Sequence, residues 1–433
     1  MRDQSSYTVM PCPLKNRIRT SLCPPPSKSH TMRAILFASL AQGKSQIRNY
    51  LPSPGTNTMI RAMESFGAQI EVVSNQLQIK GVNFQFKSPD NVIDAGNSGL
   101  VLRFAGAIGA LIPSYTLITG DRSIRYLRQM QPLLSAFKHL GAFAQSQRLD
   151  GFAPIIVKGP IKGGRVIIDG ADSQPVSALI IASCFAKEQI EITVKNPGEK
   201  PFIDLTLCWL DFLNIPYKRH GYERFTLFGN SSYTGFKYTV PSDFSSLAFP
   251  LVFSLLSNLE VGFVGMDTDD VQGDKALLDI LISMGARIEV KKQEKVVEVK
   301  KGRALQGKKI DINGCIDALP ILAVVACFSK GTTHLYNGKS ARNKECDRIA
   351  AITKELKKMG ADIQEKEDGL IIQGGTPLKG CTLNTYSDHR MGMALTVAGL
   401  LGKGESKIEN TACIKKTYPN FKEHLKELGA NIV

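Results

Sequence analysis

A short phrase recurs along the chain at nearly constant intervals: an amphipathic segment ending in an apolar residue, then Gly-Ala, then alternating apolar and polar residues. Its glycines stand at positions 67, 141, 285, 360 and 429, and Asn214 replaces glycine in a degenerate copy, so that copies lie 69–75 residues apart. Glycine, and less readily asparagine, adopts the left-handed conformation that ends a helix. The phrase therefore predicts six αβ units. Because 433 residues exceed one ordinary core, we expect two domains of three units each.

The charge of the chain predicts an anionic substrate or partner. Its 54 basic and 39 acidic residues give a formal net charge of +15, which suits either nucleic acid or small anions. The basic residues form no stripe with interleaved aromatics, and dense stretches such as 354–358 are short helix faces. We therefore predict small anionic substrates and no nucleic acid. The longest apolar run, Leu319 to Phe328, is too short to span a bilayer, and the N-terminus is polar, which predicts a cytoplasmic protein without membrane contact.

Cysteine and histidine usage predicts neither a disulfide framework nor a metal site. The nine cysteines are odd in number, widely spread and never in a Cys-x-x-Cys pair, and the six histidines are scattered. We expect no metal and no cofactor.

The segment around Ser27 is a candidate anion site. Three prolines precede Ser27, which is a good N-cap, and an apolar helix follows. Lys28, Ser29 and Arg33 would then lie within the first two turns, beside free backbone N–H groups and the positive helix end. A capped surface helix with incidental basic residues is the alternative interpretation.

Three further segments of the first half have polar or small residues at a predicted helix start. Gly99 could let a ligand approach the backbone closely, or it could belong to an ordinary turn. Arg122, Arg125 and Arg128 could clamp an anion, or they could lie in a solvated loop. Ser173 and Gln174 could bind hydroxyl and phosphate groups, or they could only cap a helix.

The second half contains charges of a catalytic type. Asp317 precedes a buried-looking helix, where desolvation could tune its carboxylate into a base. Lys344 and Arg348 have the i,i+4 spacing of one helical face, with Glu345 on the adjoining face. A surface ion-pair network is the alternative. Cations at loop–helix borders of successive units could gather at one site; they are Lys28, Arg128, Arg348, Arg390 and Lys416.

As a set, these motifs closely resemble those of the 5-enolpyruvylshikimate-3-phosphate synthases, from about residue 20 to 421. The segments with this resemblance are 27–33, 96–103, 173–174, 243–246, 272–274, 317, 344–348, 388–391 and 416–419. The resemblance implies an α/β (α+β) fold, a two-domain inside-out α/β barrel of six βαβαββ units, three per domain. Domain one would take residues 1–20 and 243–433, domain two residues 21–242, with crossovers near 20 and 240–243.

The resemblance also implies a role for each motif residue. Those that would bind shikimate-3-phosphate are Lys28, Ser29, Arg33, Ser173, Gln174, Asp317 and Lys344. Those that would bind phosphoenolpyruvate are Lys28, Gly99, Arg128, Gln174, Arg348, Arg390 and Lys416.

The family mechanism assigns the proton transfers to three of these residues. Asp317 would accept the proton of the attacking 5-hydroxyl, and Glu345, with Lys28 nearby, would protonate the methylene carbon before phosphate leaves. Clustered cations would stabilise the anions without a metal. The family also implies a monomer.

A few positions depart from the family pattern. Glu199 stands where a serine normally contacts the substrate phosphate, and we expect its repelled carboxylate to point away. Leu100 and Phe104 replace the usual Thr and Pro, which predicts an altered affinity for glyphosate. An apparent extra residue in the arginine loop leaves Arg125 as an alternative to Arg128.

Two other functions fit parts of the sequence. The first is the sister transferase that acts on UDP-N-acetylglucosamine, which usually has Lys-Asn at the first motif and a cysteine in the loop after the glycine-rich segment. Here the first motif is Lys28-Ser29, and residues 99–135 contain no cysteine. The second is a basic RNA-binding or RNA-end-processing protein, whose binding would depend steeply on salt.

Overall fold

Helices and strands are mixed along the described part of the chain. The computed structural model describes residues 5–11 and 19–433. In this part of the chain the strands are β1 Ser6–Met10, β2 Arg19–Leu22, β3 Lys44–Arg48, β4 Gln69–Val73, β5 Gln76–Lys80, β6 Ile93–Asp94, β7 Thr116–Thr119, β8 Phe143–Ser146, β9 Ile155–Lys158, β10 Gly164–Asp169, β11 Ile190–Lys195, β12 Tyr217–His220, β13 Arg224–Leu227, β14 Lys237–Thr239, β15 Glu260–Val264, β16 Ile288–Lys291, β17 Val296–Val299, β18 Lys309–Asp311, β19 Thr332–Tyr336, β20 Asp362–Lys366, β21 Gly369–Gln373, β22 Thr382–Asn384, β23 Ser406–Glu409 and β24 Asn431–Ile432.

The helices fall between these strands. The α-helices are α1 Lys28–Leu40, α2 Pro54–Ser65, α3 Gly99–Gly109, α4 Arg122–Tyr126, α5 Gln131–His139, α6 Ser173–Cys184, α7 Lys200–Phe212, α8 Phe244–Leu256, α9 Ala276–Ser283, α10 Leu319–Phe328, α11 Arg348–Lys358, α12 His389–Leu401 and α13 Phe421–Glu427. Short 3₁₀ helices span Gly273–Lys275, Asn313–Ala318, Lys339–Asn343 and Thr411–Lys416. No helix among the described residues is long and apolar enough to cross a membrane.

The chain forms two compact units. The terminal unit comprises the described residues up to Ser27 together with Pro241–Val433, and the middle unit comprises Lys28–Val240. Within the terminal unit, the two connecting segments run side by side: the Ser27 amide donates to the Pro241 carbonyl at 2.8 Å, and the Asp243 amide donates to the Pro25 carbonyl at 2.9 Å. β2, which contains Thr20, pairs with β15 of the terminal unit, whereas β14 pairs with β3 of the middle unit. Each unit thus receives one strand from a segment that leads into the other unit.

The described strands form six four-stranded sheets with one shared pattern. Two parallel strands are followed by an antiparallel pair, as in the order β18-β19-β21-β20. The N-terminal strand β1 completes the last sheet between β23 and β24. Six αβ units with three sheets in each compact unit agree with the fold class predicted from the recurring phrase.

The first helix of each repeat lies in the core and the sheets lie outside. α1, α3 and α6 in the middle unit, and α8, α10 and α12 in the terminal unit, are apolar and almost wholly buried, which suits helices surrounded by other elements. The strands alternate between buried and exposed residues, as in β3 and β13, so each sheet covers the helices with one face. The start of each buried helix therefore lies at the edge of the core, where the motif residues occur.

The recurring Gly-Ala phrase is a helix-ending motif. All five glycines have φ between 86° and 105°, and Asn214 has φ of 55°, which confirms the predicted left-handed conformation. In every copy the amide three residues after the helix reaches back five residues, from Ala68 to Met63 at 3.2 Å and from Ala361 to Leu356 at 3.0 Å. This is the Schellman bond pattern, which satisfies carbonyls that the helix leaves open.

We predict that Gly360→Ala lowers the free energy of unfolding of the terminal unit by about 1–2 kcal/mol. A Cβ at Gly360 would meet no atom within 4 Å, so the cost comes from its φ of 91° alone. Gly360→Asn should cost less, because asparagine tolerates this conformation. Denaturant unfolding of the two variants measures the difference, and equal stability of Gly360→Ala and wild type would contradict the prediction.

Candidate functional site

Arg348 binds three carboxylates in the terminal unit. Its guanidinium is 1% exposed and donates to Asp388 at 2.8 Å, to Asp317 at 2.6 Å and to Glu345 at 2.9 Å. Burial alone would lower the pKa of Arg348, but the carboxylates raise this pKa well above its ordinary value. The two carboxylates proposed from sequence as proton carriers, Asp317 and Glu345, are thus fixed to one cation.

Two more of the sequence-predicted cations contact the same carboxylates. Arg390 Nη2 lies 3.2 Å from Asp317 Oδ2, and Lys416 Nζ lies 2.5 Å from Glu345 Oε1. The Nε and Nη1 atoms of Arg390 are buried and donate to no other described group. Arg390 therefore presents two desolvated donor nitrogens that an anionic ligand could satisfy.

Asp388 links the start of a buried helix to this cluster. Its side chain is the N-cap of α12 and accepts from the backbone amides of Arg390, at 2.8 Å, and Met391, at 3.4 Å. The other carboxylate oxygen accepts from Arg348 Nε. One residue thus fixes both the helix start that positions Arg390 and the guanidinium of Arg348.

The backbone around Glu345 differs from the sequence prediction. Lys344 and Arg348 were predicted to share a helical face, but α11 begins only at Arg348, and Lys344 ends a 3₁₀ helix with φ of −96° and ψ of −142°. The prediction was wrong because Asp347 is the N-cap of α11 and accepts from the Ala350 amide at 3.0 Å. Glu345 is nevertheless brought to Arg348 by the non-helical bend that precedes this cap.

His389 lies beside two of the carboxylates. Its Nδ1 is 3.9 Å from Glu345 Oε1 and 3.8 Å from Asp388 Oδ1. Among the described residues, these three form the one group whose ligand atoms are close enough for a shared metal ion. Arg348 and Lys416 already engage the two carboxylates, so protein cations provide the positive charge there.

The middle unit gathers a second set of predicted residues around Gly99. A Cβ built on Gly99 would lie 2.8 Å from Arg103 Nη1, 2.8 Å from Gln174 Oε1 and 3.7 Å from Arg128 Nε. The missing side chain of Gly99 therefore allows these polar groups to approach the backbone at the start of α3. Arg103 also pairs with Asp172 at 3.1 Å, and burial lowers its pKa while Asp172 counteracts this effect.

The two alternative loop arginines have different surroundings. Arg128 is buried and lies beside Gly99, whereas Arg125 is partly exposed, donates to the Asp121 carbonyl at 3.3 Å and stacks against Tyr126. This placement favours Arg128 for the candidate site.

The first motif begins helix α1 at Lys28, as the sequence predicted. Lys28 and Ser29 are half-buried, but Arg33 is buried, with its guanidinium 5.6 Å from the ring centre of Phe104. Arg33 donates to the Thr206 hydroxyl at 2.8 and 3.1 Å and to backbone carbonyls. Burial lowers the pKa of Arg33 to about 9. A nearby anion would offset this desolvation.

Glu199 does not point away from the residues predicted to bind phosphate, which corrects the sequence expectation. Its carboxylate is buried and accepts from Ser173 Oγ at 2.9 Å and from the Ser173 amide at 3.5 Å. The backbone of Glu199 is left-handed, with φ of 47°, and this conformation precedes α7. The carboxylate therefore turns toward the start of α6 and accepts the hydrogen bond that the Ser173 hydroxyl donates.

Arg103 and Asp388 lie in segments 96–103 and 388–391 that the sequence analysis singled out, but neither received a role there. Arg103 lies one helical turn after Gly99, and Asp388 immediately precedes a buried helix, so the sequence around each contained a local signal.

Comparison with known proteins identifies the same family over nearly the whole chain. A family model described as EPSP synthase (3-phosphoshikimate 1-carboxyvinyltransferase) matches residues 14–425. Proteins named 3-phosphoshikimate 1-carboxyvinyltransferase from Acetivibrio thermocellus and Methanocaldococcus jannaschii are each 43% identical, over 94% of this chain and 95% of theirs. A solved EPSP synthase from Acinetobacter baumannii superimposes with a TM-score of 0.81 and 25% identity, covering 100% of both chains.

Proposed function

The chain belongs to the EPSP synthase family, and from this membership we propose how its residues transfer the enolpyruvyl group of phosphoenolpyruvate to the 5-hydroxyl of shikimate-3-phosphate. It is a transferase, a 3-phosphoshikimate 1-carboxyvinyltransferase of the shikimate pathway to aromatic amino acids. Its substrates are small molecules, and the UDP-sugar and RNA alternatives are not favoured.

We propose that both units contribute substrate-binding residues. In the middle unit, Ser29, Arg33 and Ser173 bind shikimate-3-phosphate, Gly99 and Arg128 bind phosphoenolpyruvate, and Lys28 and Gln174 contact both. In the terminal unit, Asp317 and Lys344 bind shikimate-3-phosphate, and Arg348, Arg390 and Lys416 bind phosphoenolpyruvate. The boundaries near residues 20 and 240–243, the monomeric state and the cytoplasmic location stay predictions.

The proposed chemistry uses two carboxylates and a set of cations. Asp317 accepts the proton of the 5-hydroxyl as its oxygen attacks the central carbon of phosphoenolpyruvate, and Glu345, assisted by Lys28, delivers a proton to the methylene carbon. This addition gives a tetrahedral intermediate that still carries phosphate. Phosphate then leaves, the methyl carbon returns its proton to Glu345, and the double bond is restored. Cations lower the cost of the developing and departing negative charge.

The observation that best supports this assignment is the shared contact of Asp317 and Glu345 with Arg348, at 2.6 and 2.9 Å. Two carboxylates on one guanidinium are held in a fixed relation, as two successive proton transfers on neighbouring atoms require. Arg390 contacts the second carboxylate oxygen of Asp317, and Lys416 contacts that of Glu345. Anions bound to these two cations would therefore lie next to both proton carriers.

Phosphate release is the direct test of this function. We expect release to require both shikimate-3-phosphate and phosphoenolpyruvate, to persist in EDTA, and to collapse in Glu345→Ala and in Lys28→Ala. Release with UDP-N-acetylglucosamine in place of shikimate-3-phosphate would overturn the substrate assignment. Retention on RNA at moderate salt without any turnover would favour the RNA-binding alternative.

The altered glyphosate affinity also stays a prediction. Leu100 and Phe104, which replace the usual Thr and Pro, are both buried in α3, Leu100 directly after Gly99 and Phe104 further along the helix. Because they support the helix that begins beside the proposed phosphoenolpyruvate site, their larger side chains can change how an analogue fits there.

A further inference from the structure

Glu355 is a buried carboxylate on α11, the helix that begins at Arg348. Its side chain is 0% exposed, and it accepts from Lys358 Nζ at 2.7 and 2.9 Å. Glu355 follows Arg348 by about two turns of helix, so both side chains lie on the same face of α11. One helix face thus contains a buried cation and a buried anion.

Glu355 binds the loop that leads from β22 into α12. Its Oε2 accepts from the Asn384 amide at 3.0 Å, and its Oε1 accepts from the Tyr386 hydroxyl at 2.6 Å. The Asn384 side chain in turn accepts from the Tyr386 amide at 2.7 Å. Both oxygens of one buried carboxylate are therefore used to hold this loop.

Two consecutive residues of this loop have a left-handed backbone. Tyr386 has φ of 54° and Ser387 has φ of 57°, which is unfavourable for residues with a Cβ. Such conformations persist where surrounding contacts impose them. The Asp388 amide, which follows, donates to the Thr385 carbonyl at 3.0 Å and closes the turn. This left-handed turn, residues 385–388, therefore ends at the N-cap of α12, just before Arg390.

We propose that Glu355 is a positioning residue for Arg390: it holds the left-handed turn, which determines where α12 begins and where the Arg390 guanidinium lies. The inference rests on the proposed function and adds a residue to it. Arg348 holds the end of the same turn by donating to Asp388 at 2.8 Å. α11 therefore binds the turn at two points, one through an anion and one through a cation. Glu355 itself contacts neither substrate in this proposal.

Glu355→Leu removes both acceptors and keeps a side chain of similar size. The Asn384 amide and the Tyr386 hydroxyl would lose a charged acceptor, and the turn would relax from its left-handed conformation. We expect the KM for phosphoenolpyruvate to rise about tenfold, a usual effect of losing a hydrogen bond to a charged group. The KM for shikimate-3-phosphate should stay near the wild-type value, because Arg390 is assigned to phosphoenolpyruvate alone. A loss of folded enzyme would lower the maximal rate and leave both KM values unchanged, so the two KM values separate positioning from stability.

Tyr386→Phe is a milder variant that removes one of the two bonds. It keeps the ring and the bond from the Asn384 amide, so we expect the KM for phosphoenolpyruvate to rise by a smaller factor, about threefold. Because Glu355 and Tyr386 act through their shared bond, Tyr386→Phe should have no further effect in the Glu355→Leu background.

Glu367→Leu is the matched control. Glu367 also pairs with a lysine, Lys339, at 2.6 Å, but both side chains are largely exposed, so both KM values should be preserved. An unchanged KM for phosphoenolpyruvate in either Glu355→Leu or Tyr386→Phe, whichever folds, or an equal rise of both KM values, would overturn the inference while leaving the proposed function intact. Absence of turnover in the wild type would overturn the proposed function itself.

Discussion

Glu345→Gln is expected to lower kcat about 10²- to 10⁴-fold, the usual contribution of a positioned general acid or base. The change removes the proton carrier but keeps the shape of the side chain, whose one remaining acceptor oxygen can bind either Arg348 or Lys416. Arg348 also retains Asp317 and Asp388 as partners. The loss should therefore appear in kcat, measured as phosphate release at saturating substrate.

Glu365→Gln is the matched control for this variant. Glu365 also pairs with an arginine, Arg342, at 2.9 Å, but on the surface of the terminal unit. Its replacement should leave kcat unchanged, because a surface ion pair contributes little. A kcat of Glu345→Gln equal to that of Glu365→Gln would contradict the role of Glu345 in proton transfer.

The fold was predictable from sequence where its determinants are local. The Gly-Ala phrase ends helices because a left-handed residue and a bond across five positions suffice, and neither needs a distant partner. The starts of α1 and α6 were predictable for the same reason, since prolines and small polar residues determine them. Six such local signals at regular spacing were enough to indicate the repeat architecture.

The site was predictable only in part, because its contacts join distant segments. Asp388 binds Arg348 across forty residues of sequence, and Arg390 binds Asp317 across 73. The i,i+4 spacing of Lys344 and Arg348 was misleading, since the cap at Asp347 starts the helix later. Glu199 was expected to avoid Ser173, but a buried carboxylate needs a donor, and the Ser173 hydroxyl provides one.

Arg348→Met is expected to destabilise the terminal unit by about 3–5 kcal/mol, the usual cost of removing one partner from a buried ion pair. Methionine fills a similar volume, so the lost stability reflects the missing charge and not a cavity. Without Arg348, the carboxylates of Asp317, Glu345 and Asp388 would repel one another in a desolvated site. This repulsion weakens when one of the carboxylates takes up a proton.

The repulsion gives the destabilisation a pH dependence of defined sign. Because protonation at low pH relieves it, the deficit of Arg348→Met should be larger at pH 8 than at pH 5. Arg342→Met is the control, because Arg342 binds Asp347 and Glu365 at 2.8 and 2.9 Å but is 23% exposed. It should lose no more than about 1 kcal/mol, since water replaces the lost charge. Equal losses in the two variants by denaturant unfolding would mean that Arg348 is not the cation that holds Asp317, Glu345 and Asp388 together.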